Sequence, residues 1–108
     1  MFTIKNKLLE ISVQKTGIEL CSIKSVSTGK QYMWNANPRI WGSSAPVLFP
    51  IIGSLKNEGY TYKGKEYSLP KHGMIRHNQN IELVDQSETE LTFKLEYDED
   101  TLKMYPFK

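Results

Sequence analysis

One histidine stands where it could move a proton. His72 lies in the run Leu69-Pro-Lys-His-Gly-Met-Ile-Arg76, framed by Pro70 and Gly73. Imidazole is the side chain whose charge changes nearest neutral pH. A glycine directly after it lets the backbone pass close to a small ligand. Arg76, four residues on, adds a planar fork of donors suited to hydroxyl or phosphate oxygens. Upstream, Ala45-Pro-Val-Leu-Phe-Pro-Ile-Ile-Gly-Ser54 is a stiff apolar strand carrying Phe49, preceded by two large rings, Trp34 and Trp41. This combination points to a shallow polar site on a β scaffold. Each residue also has a plainer reading: His72 as a turn histidine satisfied by the backbone, Arg76 in a surface ion pair with Glu82 or Asp85, and the aromatics as core. His77 reads as a solvated loop residue.

The elements that must position these groups repeat with a period of two. Leu9, Ile11 and Val13 alternate with Glu10, Ser12 and Gln14, which is the signature of a half-buried strand. Leu91, Phe93, Leu95 and Tyr97 alternate with Thr92, Lys94 and Glu96 in the clearest strand of the chain. Residues 18–26 read as a further strand after a turn at Thr16-Gly17, and residues 31–34 as a short return strand after Ser27-Thr-Gly-Lys30. Tyr60-Thr-Tyr62 and Glu66-Tyr67-Ser68 flank Lys63-Gly64-Lys65 as a tight hairpin, and cross-strand pairing explains its tyrosines. Residues 81–84 and 88–97 flank Asp85-Gln-Ser87 as a second hairpin. The single helical turn falls at 99–105, started by Asp98 or Asp100 as N-cap. Residues 35–50 are irregular, because Pro38, Pro46 and Pro50 hold themselves and their predecessors extended. The sequence therefore predicts an antiparallel all-β protein.

Composition narrows the partners. The 108 residues, 39% hydrophobic and 24% charged, make one ordinary domain. A formal net charge of +2, with the lysines scattered, is too weak to attract nucleic acid or anionic lipid by charge alone. Cys21 is the only cysteine, so no intrachain disulfide or cysteine-rich metal site can form, and it reads as a small buried core residue. No Cys/His metal constellation and no glycine-rich phosphate loop occur, and Asp98-Glu-Asp100 lacks the spaced ligands and glycine of a calcium loop. No apolar run suits a signal peptide or membrane span, and a reducing cytoplasm fits these features. The run Met104-Tyr-Pro-Phe-Lys108 reads as an aromatic strand without a partner. The expectation is a chain cut short, with an exposed edge and apolar face that favour self-association.

Three ordered stretches carry a resemblance: Ala45 to Gly53, Tyr60 to Tyr67, and Leu69 to Arg76. They resemble the aldose 1-epimerase (galactose mutarotase) family, most of all its bacterial LacX-like branch. The strands leading to Trp34, the following Pro38 and Trp41, and Thr101-Leu-Lys-Met-Tyr-Pro-Phe107 are similar to the same family in the same order. The resemblance implies a galactose mutarotase-like antiparallel β-sandwich (a supersandwich) of which residues 1–108 hold only the N-terminal portion. It implies an isomerase of sugar metabolism that interconverts the anomers of an aldose without cofactor or metal. A base takes the proton of the anomeric hydroxyl, an acid protonates the ring oxygen, and the opened sugar recloses after its carbonyl rotates. In the family a late glutamate and a mid-chain histidine perform these steps, and a histidine from the N-terminal portion assists at the ring oxygen or anchors the sugar.

His72 matches that N-terminal histidine. No residue of this chain matches the mid-chain histidine or the late glutamate; His77, Glu82, Glu88, Glu90 and Glu96 fall elsewhere. Ser44 or Ser54 stands where the family often carries a basic residue. Arg76 would bind sugar oxygens, and Trp41, Phe49 and Trp34 would floor the apolar face of a pyranose. The expectation is half a site, on a chain inactive by itself. The alternative is a carbohydrate-binding or regulatory module that does no chemistry.

Overall fold

The computed structural model describes residues 1–108 and contains seven short strands and one short helix. β1 (Phe2–Lys5), β2 (Leu9–Val13) and β3 (Leu20–Ser25) form an antiparallel sheet in that order. β4 (Gly59–Tyr62) pairs with β5 (Lys65–Ser68), and β6 (Glu82–Gln86) with β7 (Leu91–Lys94), both antiparallel. α1 (Glu99–Met104) follows.

Side-chain alternation sets the register. Ile4, Ile11 and Ile23 face one another across β1, β2 and β3, while Thr3, Ser12 and Ser22 form a hydroxyl row on the opposite side. Thr3 Oγ1 and Ser12 Oγ lie 2.9 Å apart. The first hairpin closes because the Asn6 side-chain oxygen accepts from the amides of Leu8 and Leu9 at 2.8 and 2.9 Å, a local bond that lets Asn begin turns. The β4–β5 hairpin turns through Lys63 and Gly64, both with positive φ, the backbone that matches the twist of a two-residue loop. Its Tyr60 and Tyr67 rings stack at 5.4 Å. The Tyr60 hydroxyl donates to the Met104 carbonyl at 2.6 Å, tying the hairpin to α1. Burial, with the neighbouring Tyr67 and Tyr105, pushes the Tyr60 phenol above its ordinary pKa.

The structure departs from the sequence reading at five points, the first a strand that the reading did not mark. Phe2–Lys5 is a strand, although its four residues carry only two apolar side chains on one face. The strand expected over 18–26 begins at Leu20, because Gly17 and Ile18 adopt positive φ and turn the chain first. The return strand expected over 31–34 shrinks to one bridge, Lys24 to Gln31. There the Gln31 side chain accepts from the amides of Ile23 and Met33, in place of a backbone ladder. The apolar run around Val47 is likewise no strand, but a single parallel bridge between Phe49 and Gly73. The second hairpin turns later than expected: β6 continues through Asp85 and Gln86, β7 is only Leu91–Lys94, and Val84 bulges between the Leu83 and Asp85 pairs. The helix starts as expected, and Asp98 is its cap. Asp98 Oδ1 accepts from the Thr101 amide and Thr101 Oγ1 from the Asp98 amide, each at 2.8 Å.

The core is small. Only seven of the 108 residues are buried, and Leu69 and Ile81 are the hydrophobic side chains among them. Cys21 is half-buried, not core, with its thiol donating to the Ser12 carbonyl at 3.3 Å. The radius of gyration is 16.5 Å, against about 13 Å for a compact domain of this length. The molecule is a slab of 56 × 34 × 15 Å, with Leu48, Ile52, Tyr97 and Phe107 among its exposed apolar side chains.

Candidate functional site

The turn carrying His72 is built by the backbone. Leu69 is only 2% exposed and anchors its start, and the Gly73 amide closes it on the Pro70 carbonyl at 2.9 Å. His72 and Gly73 have φ of 67° and 83°. For a residue with a Cβ this left-handed conformation costs about 1–2 kcal/mol, so it persists only where surrounding bonds fix it. Those bonds come from the Phe49–Gly53 segment, which contains a cis peptide before Pro50. The His72 amide donates to the Gly53 carbonyl at 2.8 Å, and the His72 carbonyl accepts from the Phe49 amide at 3.2 Å. The Met74 amide donates to the Phe49 carbonyl at 2.9 Å. A Cβ on Gly73 would overlap the Phe49 carbonyl oxygen, so glycine is required there for close approach as well as for its φ.

The imidazole is held by the same segment. The Gly53 amide donates to His72 Nδ1 at 2.9 Å. An Nδ1 that accepts carries no proton, so the neutral ring bears its proton on Nε2. Partial burial, with the charges of Lys71 and Arg76 adding to it, lowers the His72 pKa from its ordinary value. At neutral pH His72 is therefore an uncharged hydrogen-bond donor through Nε2, and no carboxylate is hydrogen-bonded to it.

Arg76 and the two tryptophans are held by hydrogen bonds around the 41–44 loop. Arg76 Nη2 donates to Ser43 Oγ at 3.3 Å, Ser44 Oγ donates to the Trp34 carbonyl at 3.0 Å, and Trp34 Nε1 donates to the Trp41 carbonyl at 2.8 Å. Arg76 does not form the surface ion pair that Glu82 or Asp85 would offer. The chain's ion pairs lie elsewhere, and Arg76 Nε is buried without an acceptor. Neither tryptophan is core: Trp34 is 38% and Trp41 47% exposed. Phe49 is exposed too, meets Tyr105 edge-on at 5.9 Å, and lines a cavity of about 290 Å³ with Met74, Ile75, Leu95 and Tyr105. His72 is not on the wall of that cavity, which begins beyond Gly73. None of the larger cavities of the molecule is lined by His72. His77 is exposed, as expected of a loop residue.

Two residues of the site's frame escaped the sequence reading. Glu19 is only 5% exposed, and its carboxylate accepts from the amides of Ser44 and Ala45. Gly17 packs on the Arg76 carbonyl. A glutamate beside alternating strand residues reads as solvent-facing, so nothing in the pattern marked it.

The sequence model of the family described as aldose 1-epimerase matches residues 1–108. The chain belongs to the aldose 1-epimerase family. Among curated relatives of this family, the plasmid-encoded LacX protein of Lactococcus lactis subsp. lactis is 32% identical over 110 residues, covering 97% of this chain. A galactose mutarotase related enzyme from Lactobacillus acidophilus superposes with a TM-score of 0.94 at 46% identity over 98% of the chain. A galactose mutarotase-like protein from Lactobacillus casei gives 0.93 at 31% identity over 99%. The chain spans 36%, 35% and 36% of these three proteins respectively. The aldose 1-epimerase resemblance and the galactose mutarotase-like β fold expected from the three sequence stretches both hold.

Proposed function

We propose that these residues form the N-terminal portion of a cofactor-free, cytoplasmic aldose 1-epimerase, and that they supply the donor half of its sugar site. The observation that carries this is the Gly53 amide on His72 Nδ1, which commits the opposite nitrogen, Nε2, to donating. A neutral Nε2–H suits the ring oxygen or a hydroxyl of an aldose. It would steady charge developing on that oxygen as the anomeric C–O bond opens, without giving up a full proton. Arg76 would hold neighbouring hydroxyls, and Phe49, Trp41 and Trp34 would offer apolar surface to the pyranose face. The proton transfers themselves need a base for the anomeric hydroxyl and a principal acid. Each such positioned group contributes roughly 10²–10⁴-fold, and none of these 108 residues matches either one.

The chain alone is therefore expected to bind an aldose weakly and not to turn it over. Polarimetry of freshly dissolved α-D-glucose or α-D-galactose with the purified chain checks this. Mutarotation should match buffer, and catalysis well above buffer that vanishes in His72→Ala would refute the inactivity. A second reading, a sugar-binding module without chemistry, is favoured by the absence of any carboxylate on the imidazole. Saturable calorimetric binding of a hexose by this chain with no turnover would support it, and a flat titration across common aldoses would remove it.

A further inference from the structure

The turn between β2 and β3 does more than reverse the chain. Glu19 lies there almost wholly buried, yet it belongs to none of the ion pairs. A buried carboxylate is tolerated only where hydrogen bonds replace its water. Here Oε1 accepts from the backbone amides of both Ser44 and Ala45, and Oε2 accepts from Gln14 Nε2 at 2.9 Å. The Gln14 amide in turn donates to the Glu19 carbonyl at 2.9 Å. Amide-to-carboxylate bonds are roughly twice as strong as neutral ones.

The same turn grips a second loop. The Gly17 amide donates to the Asn78 carbonyl at 2.8 Å, and Gly17 sits so close to the Arg76 carbonyl that no larger residue fits. One turn thus holds the 43–45 and 75–78 loops together, and those loops meet where Arg76 Nη2 donates to Ser43 Oγ.

We propose that Glu19 is a positioning residue for the sugar site: by clamping the Ser44 and Ala45 amides it sets Ser43 against Arg76 and so fixes the guanidinium beside His72. The inference rests on the sugar-site reading of His72 and Arg76.

Two variants separate position from charge. In Glu19→Gln the side-chain oxygen still reaches both amides, and Gln14 can turn its own amide oxygen toward the new NH₂. In Glu19→Ala the clamp is gone. Glu19 is not among the charges that act on His72; if it acted on the imidazole only through its charge, the midpoint would fall in both variants. Loss of position lets Arg76 swing away, which raises the midpoint in Glu19→Ala alone. Imidazole ¹⁵N titration of this chain reads the sign, and D-galactose titration followed by NMR reads the affinity.

The expected result is a raised His72 midpoint and affinity about tenfold weaker in Glu19→Ala, with Glu19→Gln within about twofold of the parent. Ser43→Ala, which leaves the buried carboxylate in place, should reproduce both effects and decides the matter if Glu19→Ala does not fold. Midpoints that fall in both Glu19 variants, or that stay put in Glu19→Ala and Ser43→Ala, overturn the proposal. Should D-galactose bind neither parent nor variants, the sugar-site reading fails by itself, and the sign of the His72 shift still decides the clamp.

Discussion

His72 reaches its position by accepting two constraints at once, a left-handed backbone and an amide donated to Nδ1. The second constraint makes the fold sensitive to pH. Partial burial leads the causes that hold the folded pKa below the ordinary 6.5, with Lys71 and Arg76 behind it. A base with a depressed folded pKa contributes stability above its unfolded pKa and loses it as the pH falls from there through the folded value. Urea midpoints should therefore drop as the pH is lowered from 7 through about 6.5 and below. His72→Asn, whose side-chain oxygen can accept from the same amide and which tolerates positive φ, should flatten that slope. A slope that survives in His72→Asn would assign it to another group. Gly73 gives a second test at this scale. Gly73→Ala meets the Phe49 carbonyl and should cost at least about 2 kcal/mol, whereas Gly64→Ala, with open space around it, should cost only about 1. Equal losses in urea titrations would show that close approach is not what Gly73 provides.

The elements most legible in the sequence are those whose signals are local. Asp98 and Thr101 cap α1 within four residues, Lys63-Gly64 turns one hairpin, and the alternation of Leu9, Ile11 and Val13 marks β2. What stayed hidden depends on partners far along the chain. Phe2–Lys5 becomes a strand only because β2 is beside it, and residues 31–34 fail as a strand because one glutamine side chain takes the ladder's place. The site was legible as a set of residue types around His72 but not as a frame. The Glu19 clamp on Ser44 and Ala45 spans 25 and 26 residues, a distance over which no periodicity speaks. The cap allows a direct test. Asp98→Ala should destabilise the chain by about 1 kcal/mol and free the Tyr60 hydroxyl from Met104, since the helix end that holds it frays. The check is chemical denaturation together with a Tyr60 titration midpoint falling toward its ordinary value. A loss of stability without that fall would mean the hairpin holds Tyr60 by itself.

At the scale of the molecule, surface dominates. The accessible area is 7810 Å², against roughly 6200 Å² expected for a compact protein of this mass. The difference, about 1600 Å² on one chain, is twice the roughly 800 Å² that each partner gives to a standard protein–protein interface, and each sheet also ends in unpaired edges. We expect self-association of the isolated chain. Sedimentation at micromolar concentration should show a dimer or larger species, and a monodisperse monomer would remove the basis for it.

With Leu69 and Ile81 as its buried apolar side chains, the slab has almost no depth at which an amide can hide from water. Deuterium should enter most of its backbone through small local openings, at rates nearly indifferent to global stability. Whatever leans against the exposed face then governs persistence: the melting temperature becomes a function of the concentration of that companion, as in ligand-stabilised systems.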